Sequence, residues 1–91
     1  MTYRFSLSFD RSFRRLPPER QRRVQKAVDR TIDLLEAGQL PAGLGLKRLR
    51  ASIWEFRAGL ADRIIFRLEG SETTFVLAGN HDEVRRYLKG L

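Results

Sequence analysis

The chain has no cysteine, and only one histidine, one tryptophan and one methionine among its 91 residues. Without thiols it can build neither a disulfide framework nor a thiolate metal site, and one imidazole is too few for a zinc centre. The carboxylates are scattered, with no spacing that would make a magnesium or calcium cage. No metal and no cofactor is therefore expected. No stretch approaches the roughly 20 apolar residues of a membrane span, and the first residues lack the apolar core of a signal peptide. The expectation is a cytoplasmic protein with no membrane partner. There is no internal repeat and no linker. Acid is scarce too: eleven Asp and Glu stand against eighteen Lys and Arg, for a net charge of +7.

What is present describes one small globular domain spanning residues 1–91. Hydrophobic residues make up 42% and aromatics 10%, too apolar for a disordered tail. A chain of this size buries roughly 60–65% of its unfolded surface, enough for one thin core. Fifteen of the eighteen cations are arginine, whose planar fork matches phosphate or carboxylate with two hydrogen bonds. Such a surface should attract nucleic acid, an acidic protein partner, or both.

The stretch "YRFSLSF" alternates, with Tyr3, Phe5, Leu7 and Phe9 on one face, and predicts a half-buried strand. Asp10 is placed to cap a short helical turn carrying Phe13 and Leu16, which Pro17 and Pro18 stop. Pro18 suits the first turn of a second helix that should run to about Gly38. Val24, Val28, Ile32 and Leu35 form its apolar stripe, while Arg20, Arg22, Arg23, Lys26 and Arg30 fall on the other face. From Asp10 to Arg30 this helical hairpin holds eight basic residues against three acidic ones.

"LPAGLGL" reads as a loop, and a three-stranded antiparallel meander should follow it. In "SIWEFRA" Trp54 and Phe56 face one way and Ile53, Glu55 and Arg57 the other; "DRIIFRLE" alternates similarly, with Arg63 and Arg67 sharing a face with Ile65. "TTFVLAG" is nearly all apolar, as a central strand would be. Asn80 with Glu83 is a capping pair for a terminal helix carrying Val84, Tyr87, Leu88 and Leu91 on its apolar stripe. The fold class is thus α+β: an N-terminal strand, a helical hairpin, the meander and a C-terminal helix.

His81 falls in the first turn of that last helix. The positive end of the helix dipole favours the neutral, base-competent imidazole there. A strand leading into a helix N-terminus also offers free backbone N–H groups to an anion. If the meander is antiparallel, the arginines of its strands could adjoin this exit: Arg57 and Arg63 first, then Arg50 and Arg67. A histidine, an anion site and arginines are the parts needed for metal-free cleavage of RNA, which supplies its own 2′-OH nucleophile. The structural alternatives are that Tyr87 and Trp54 simply pack, that Glu55 is an exposed strand residue, and that Arg63 pairs with Asp62 or Glu69.

The order of elements, with "LKRLRASIWEFRAGLADRIIFRL" and "FVLAGNHDEVRRYL", resembles the RelE/ParE superfamily of toxins from bacterial toxin–antitoxin pairs. The likeness runs over nearly the whole chain and implies a small α/β fold with a mainly antiparallel sheet. RelE-like members cleave mRNA in the ribosomal A site without metal, whereas ParE-like members poison DNA gyrase without catalysis. Both are neutralised by a small antitoxin that wraps their basic surface. The RelE-like branch is the leading expectation: an endoribonuclease acting on mRNA at the ribosome, with an acidic cognate antitoxin through which alone it would touch operator DNA. The alternatives are a gyrase inhibitor and a degenerate member that only binds its antitoxin. By resemblance, Arg63 matches a strand arginine that contacts the scissile phosphate, His81 a catalytic arginine or histidine position, and Tyr87 a tyrosine near the phosphate. From the residues themselves, Arg57, Arg50, Lys47, Arg67 and Arg85 are expected to complete the phosphate- and RNA-binding set. The chain departs from the pattern where RelE-like enzymes carry two lysines on one strand; it has Glu55 and Arg57 instead. Glu55 could itself act as a base, or mark an altered activity.

Overall fold

The computed structural model describes residues 1–38 and 45–91. Most of the loop expected over "LPAGLGL" lies outside the described residues. Among them the elements run β1 (Thr2–Phe5), α1 (Leu7–Arg14), α2 (Pro18–Glu36), β2 (Leu46–Arg50), β3 (Ile53–Arg57), β4 (Arg63–Glu69), β5 (Glu72–Gly79) and α3 (His81–Lys89). The strands form one sheet in the order β1-β5-β4-β3-β2. β2 to β5 are an antiparallel meander, one strand longer than expected, and β1 lies parallel to β5. β5 is therefore interior, as its apolar run required. No helix among the described residues is long and apolar enough to cross a membrane.

The expected strand over Tyr3 to Phe9 is corrected. It ends at Phe5, and Ser6 rather than Asp10 caps α1, its hydroxyl accepting from the Phe9 N–H at 3.1 Å. Phe5, Phe9 and Phe13 also satisfy a helical spacing of four, so alternation alone could not decide. The change of structure has a purpose in the sheet. β1 pairs with β5 only as far as Phe75. Beyond that point α1 runs along the edge of β5 that β1 leaves unpaired, and its serines take over the backbone pairing. The Ser8 hydroxyl donates to the Val76 carbonyl at 2.6 Å, and the buried Ser12 hydroxyl accepts from the Ala78 N–H at 3.0 Å. Buried backbone groups must find partners, and hydroxyls provide them here.

Each face of the sheet carries its own core. On one side α1 and α2 cover Phe56, Ile64, Phe66, Phe75 and Ala78 with Phe9, Val24, Ala27, Val28, Leu34 and Leu35. On the other, α3 covers a smaller cluster of Ile53, Ile65, Val76 and Val84, edged by half-buried Leu49, Leu77, Tyr87 and Leu88. Alternating side chains of β3 and β4 feed the two cores in turn.

One cation of the expected basic face of α2 is spent inside the fold. Arg20 grips Asp62 with two hydrogen bonds, Nε to Oδ2 at 2.8 Å and Nη2 to Oδ1 at 2.5 Å. The Asp62 side chain is only 3% exposed, and the Arg20 bonds hold its carboxyl below the usual carboxylate range against the opposing pull of burial. The Asp62 carbonyl also accepts from the Ala58 N–H at 2.8 Å, so one residue ties the β3–β4 turn to α2.

Candidate active site

β5 ends at Gly79 and α3 begins two residues later. Asn80 is extended, and its side chain accepts from the Glu83 N–H at 2.9 Å while Glu83 Oε1 accepts from the Asn80 N–H at 3.1 Å. This is the expected capping box. Gly79 makes it fit, because a Cβ there would lie 3.0 Å from Glu83 Cδ. The box sets the angle at which α3 leaves the sheet and so sets the place of His81.

α3 covers only part of its face of the sheet. Between the helix and β2, β3 and β4 lies a cleft of about 240 Å³, lined by Lys47, Leu49, Glu55, Arg57, Arg63, His81, Val84, Arg85 and Leu88. The register explains this gathering. Arg63 stands opposite Gly79 on β5 and opposite Arg57 on β3, and Lys47 stands opposite Glu55. Four cations and one carboxylate thus share the cleft with the imidazole, over an apolar floor of Leu49, Val84 and Leu88. Sequence reasoning named every charged member but missed that floor.

Within the cleft Arg63 and Glu55 form an ion pair, Nε to Oε1 at 3.1 Å, with side chains only 20% and 15% exposed. Neither of the partners expected for Arg63 holds it: Asp62 belongs to Arg20, and Glu69 lies nearest Arg67, at 3.9 Å. Glu55 is correspondingly half-buried, unlike the exposed strand residue of the structural alternative. Arg57, Lys47 and Arg85 are exposed and have no ion-pair partner among the described residues. His81 is 64% exposed, with the Asp82 carboxylate 3.8 Å from Nδ1, too far for a hydrogen bond.

Three of the expected residues stand outside the cleft. Tyr87 packs into the smaller core and lines a separate hollow on the other flank of α3 with Arg15, Leu77, Glu83 and Arg86. Arg50, at the end of β2, and Arg67, opposite Ile53 on β4, belong to the far end of the same sheet face. Of the arginines that might have met His81, the fold brings Arg57, Arg63 and Arg85 to it.

This architecture is the fold of the RelE/ParE toxins. The chain is similar to the toxin–antitoxin complex RelB–RelE of Methanococcus jannaschii, with a TM-score of 0.69 and 15% identity over 92% of this chain and 96% of that one. It is similar also to a YoeB/ParE toxin from Agrobacterium tumefaciens, with a TM-score of 0.65 and 20% identity over 89% and 99% of the two chains. A toxin–antitoxin complex from Mycobacterium tuberculosis gives 0.62 and 21% identity over 88% and 96%. No protein-family model matches the chain, and no curated protein matches it in sequence.

Proposed function

We propose that this chain is the toxin of a toxin–antitoxin pair and that it cuts RNA in the cleft between α3 and the sheet. The observation that carries this reading is the meeting of His81 with Arg63, Arg57, Lys47 and Arg85 in one cleft. In the reaction the RNA 2′-oxygen bonds to phosphorus as the bond to the 5′-oxygen breaks. The 2′-hydroxyl gives up its proton and the departing 5′-oxygen takes one, leaving a 2′,3′-cyclic phosphate and a 5′-hydroxyl. His81 makes one of these two transfers and water in the open cleft makes the other, histidine being the side chain suited to either role near neutral pH. Arg63, held in a poorly hydrated site, offsets the charge that builds at phosphorus. Arg57, Lys47 and Arg85 hold the flanking phosphates, while Arg50 and Arg67 steer the strand from further out. Tyr87 acts through α3, whose packing it supports. The substrate is mRNA on the translating ribosome, and the partner is an antitoxin with an acidic segment suited to the exposed arginines of α1 and α2.

Expression of the chain alone should arrest bacterial growth, with incorporation of labelled methionine falling before DNA synthesis does. DNA synthesis failing first would assign the chain to the gyrase-poisoning class instead.

A further inference from the structure

Glu55 is the one carboxylate among the side chains lining the cleft, and its surroundings point to a role other than proton transfer. It stands opposite Lys47 in register, two residues before Arg57 on its own strand, and in contact with Arg63. A general base must become neutral as it takes its proton. Glu55 would have to do so as the contact ion of a largely buried guanidinium, 15% exposed against 20%. Its neutralisation would leave Arg63 without a counter-ion as the phosphorus centre most needs an ordered cation. The contact engages Arg63 through Nε.

We propose that Glu55 is a positioning residue: by its ion pair it holds the Arg63 guanidinium in place for the scissile phosphate, and it takes no proton in the reaction. The inference rests on the reading of the cleft as the cutting site. It accounts for a carboxylate in a site built for phosphate, where its charge opposes binding: the loss in attraction is exchanged for order in the one arginine that has to meet the transition state.

The test uses the full chain as wild type, Glu55→Gln, Arg63→Ala and the double variant. Three readouts are needed: single-turnover cleavage of mRNA on programmed ribosomes, affinity for an RNA oligonucleotide with 2′-deoxy at the cut site, and the ¹⁵N-resolved Arg63 Nε–H resonance. Glu55→Gln should slow cleavage about tenfold while the deoxy oligonucleotide binds as well or a few-fold tighter, because a repelling charge has gone. Added to Arg63→Ala it should cost nothing more, since its effect passes through Arg63. The Nε–H resonance, which sits beside the Glu55 carboxylate in wild type, should shift or broaden in Glu55→Gln. A loss of roughly 10²–10⁴-fold that persists in the Arg63→Ala background is what a base would give, and it would overturn the proposal. So would an Nε–H resonance indifferent to Glu55. If the resonance responds but wild type cuts no RNA, the Glu55–Arg63 anchor stands and the cutting site is what fails.

Discussion

The two faces of the sheet are built from alternate residues of the same strands, yet they differ in kind. Under α1 and α2, Phe66, Phe75 and Ile64 are fully buried and their neighbours close over them. The buried carboxylate on that side, Asp62, is neutralised in the clasp with Arg20. Under α3 the buried cluster is small, and beyond it the strands present Glu55, Arg57 and Arg63 to a cleft the helix leaves open. One face is packed for stability; the other gives up burial and leaves cations exposed along a cleft. A period of two lets a single strand such as β4 supply Phe66 to one task and Arg63 to the other.

Substitutions on the two faces should therefore separate stability from activity. The largest loss of stability is expected from Phe66→Ala, about 3–5 kcal/mol in denaturant unfolding, a large share of the total for a domain of this size. Activity in that variant should fall only as the folded fraction falls. Next comes the clasp. Asp62→Asn should cost about 1–3 kcal/mol at neutral pH, since Arg20 is partly able to reach water. Because the folded-state pKa of Asp62 lies below its unfolded value of about 4, its contribution is present above pH 4 and disappears as the pH falls through the lower folded value. Thermal melts across this acid range should show a decline in wild type that is shallower in Asp62→Asn.

On the α3 side the effects on stability shrink. Leu88 is half-buried at the edge of the smaller core, and Leu88→Ala should cost about 1–2 kcal/mol, measured by the same melts. It should also slow cleavage beyond what unfolding explains, since Leu88 forms part of the cleft floor.

Much of this contrast was legible in the sequence because it is written in alternation and caps. The split of Trp54 and Phe56 from Glu55 and Arg57, the interior place of β5, the span of α2 and the Asn80–Glu83 box are all local signals, and the fold keeps them. What escaped was either ambiguous or distant. Ser6 to Phe9 fits a period of two and of four alike, and the serines show their function only against β5, some 66 residues away for Ser12 and Ala78. β2 went unread because "LKRLR" puts Leu46 and Leu49 on opposite faces among three cations, and cations are what an edge strand carries to discourage pairing. The partner of Arg63 depended on register: sequence neighbours pointed to Asp62 or Glu69, whereas the fold set a diagonal cross-strand contact to Glu55 and gave Asp62 to Arg20, 42 residues earlier. The His81 cleft stood between these cases, its charged members named from sequence and its shape supplied by the packing of α3.

The central claim, that the open face cuts RNA while the closed face only holds the fold, is tested most directly at His81. At 64% exposure, His81→Ala should change stability by less than about 0.5 kcal/mol. Single-turnover cleavage of mRNA on programmed ribosomes should nevertheless slow by roughly 10²–10⁴-fold, with Arg63→Ala comparably slow. Wild-type cleavage by His81→Ala, or a loss that only tracks its melting temperature, would contradict the claim and leave His81 as a residue at a helix start.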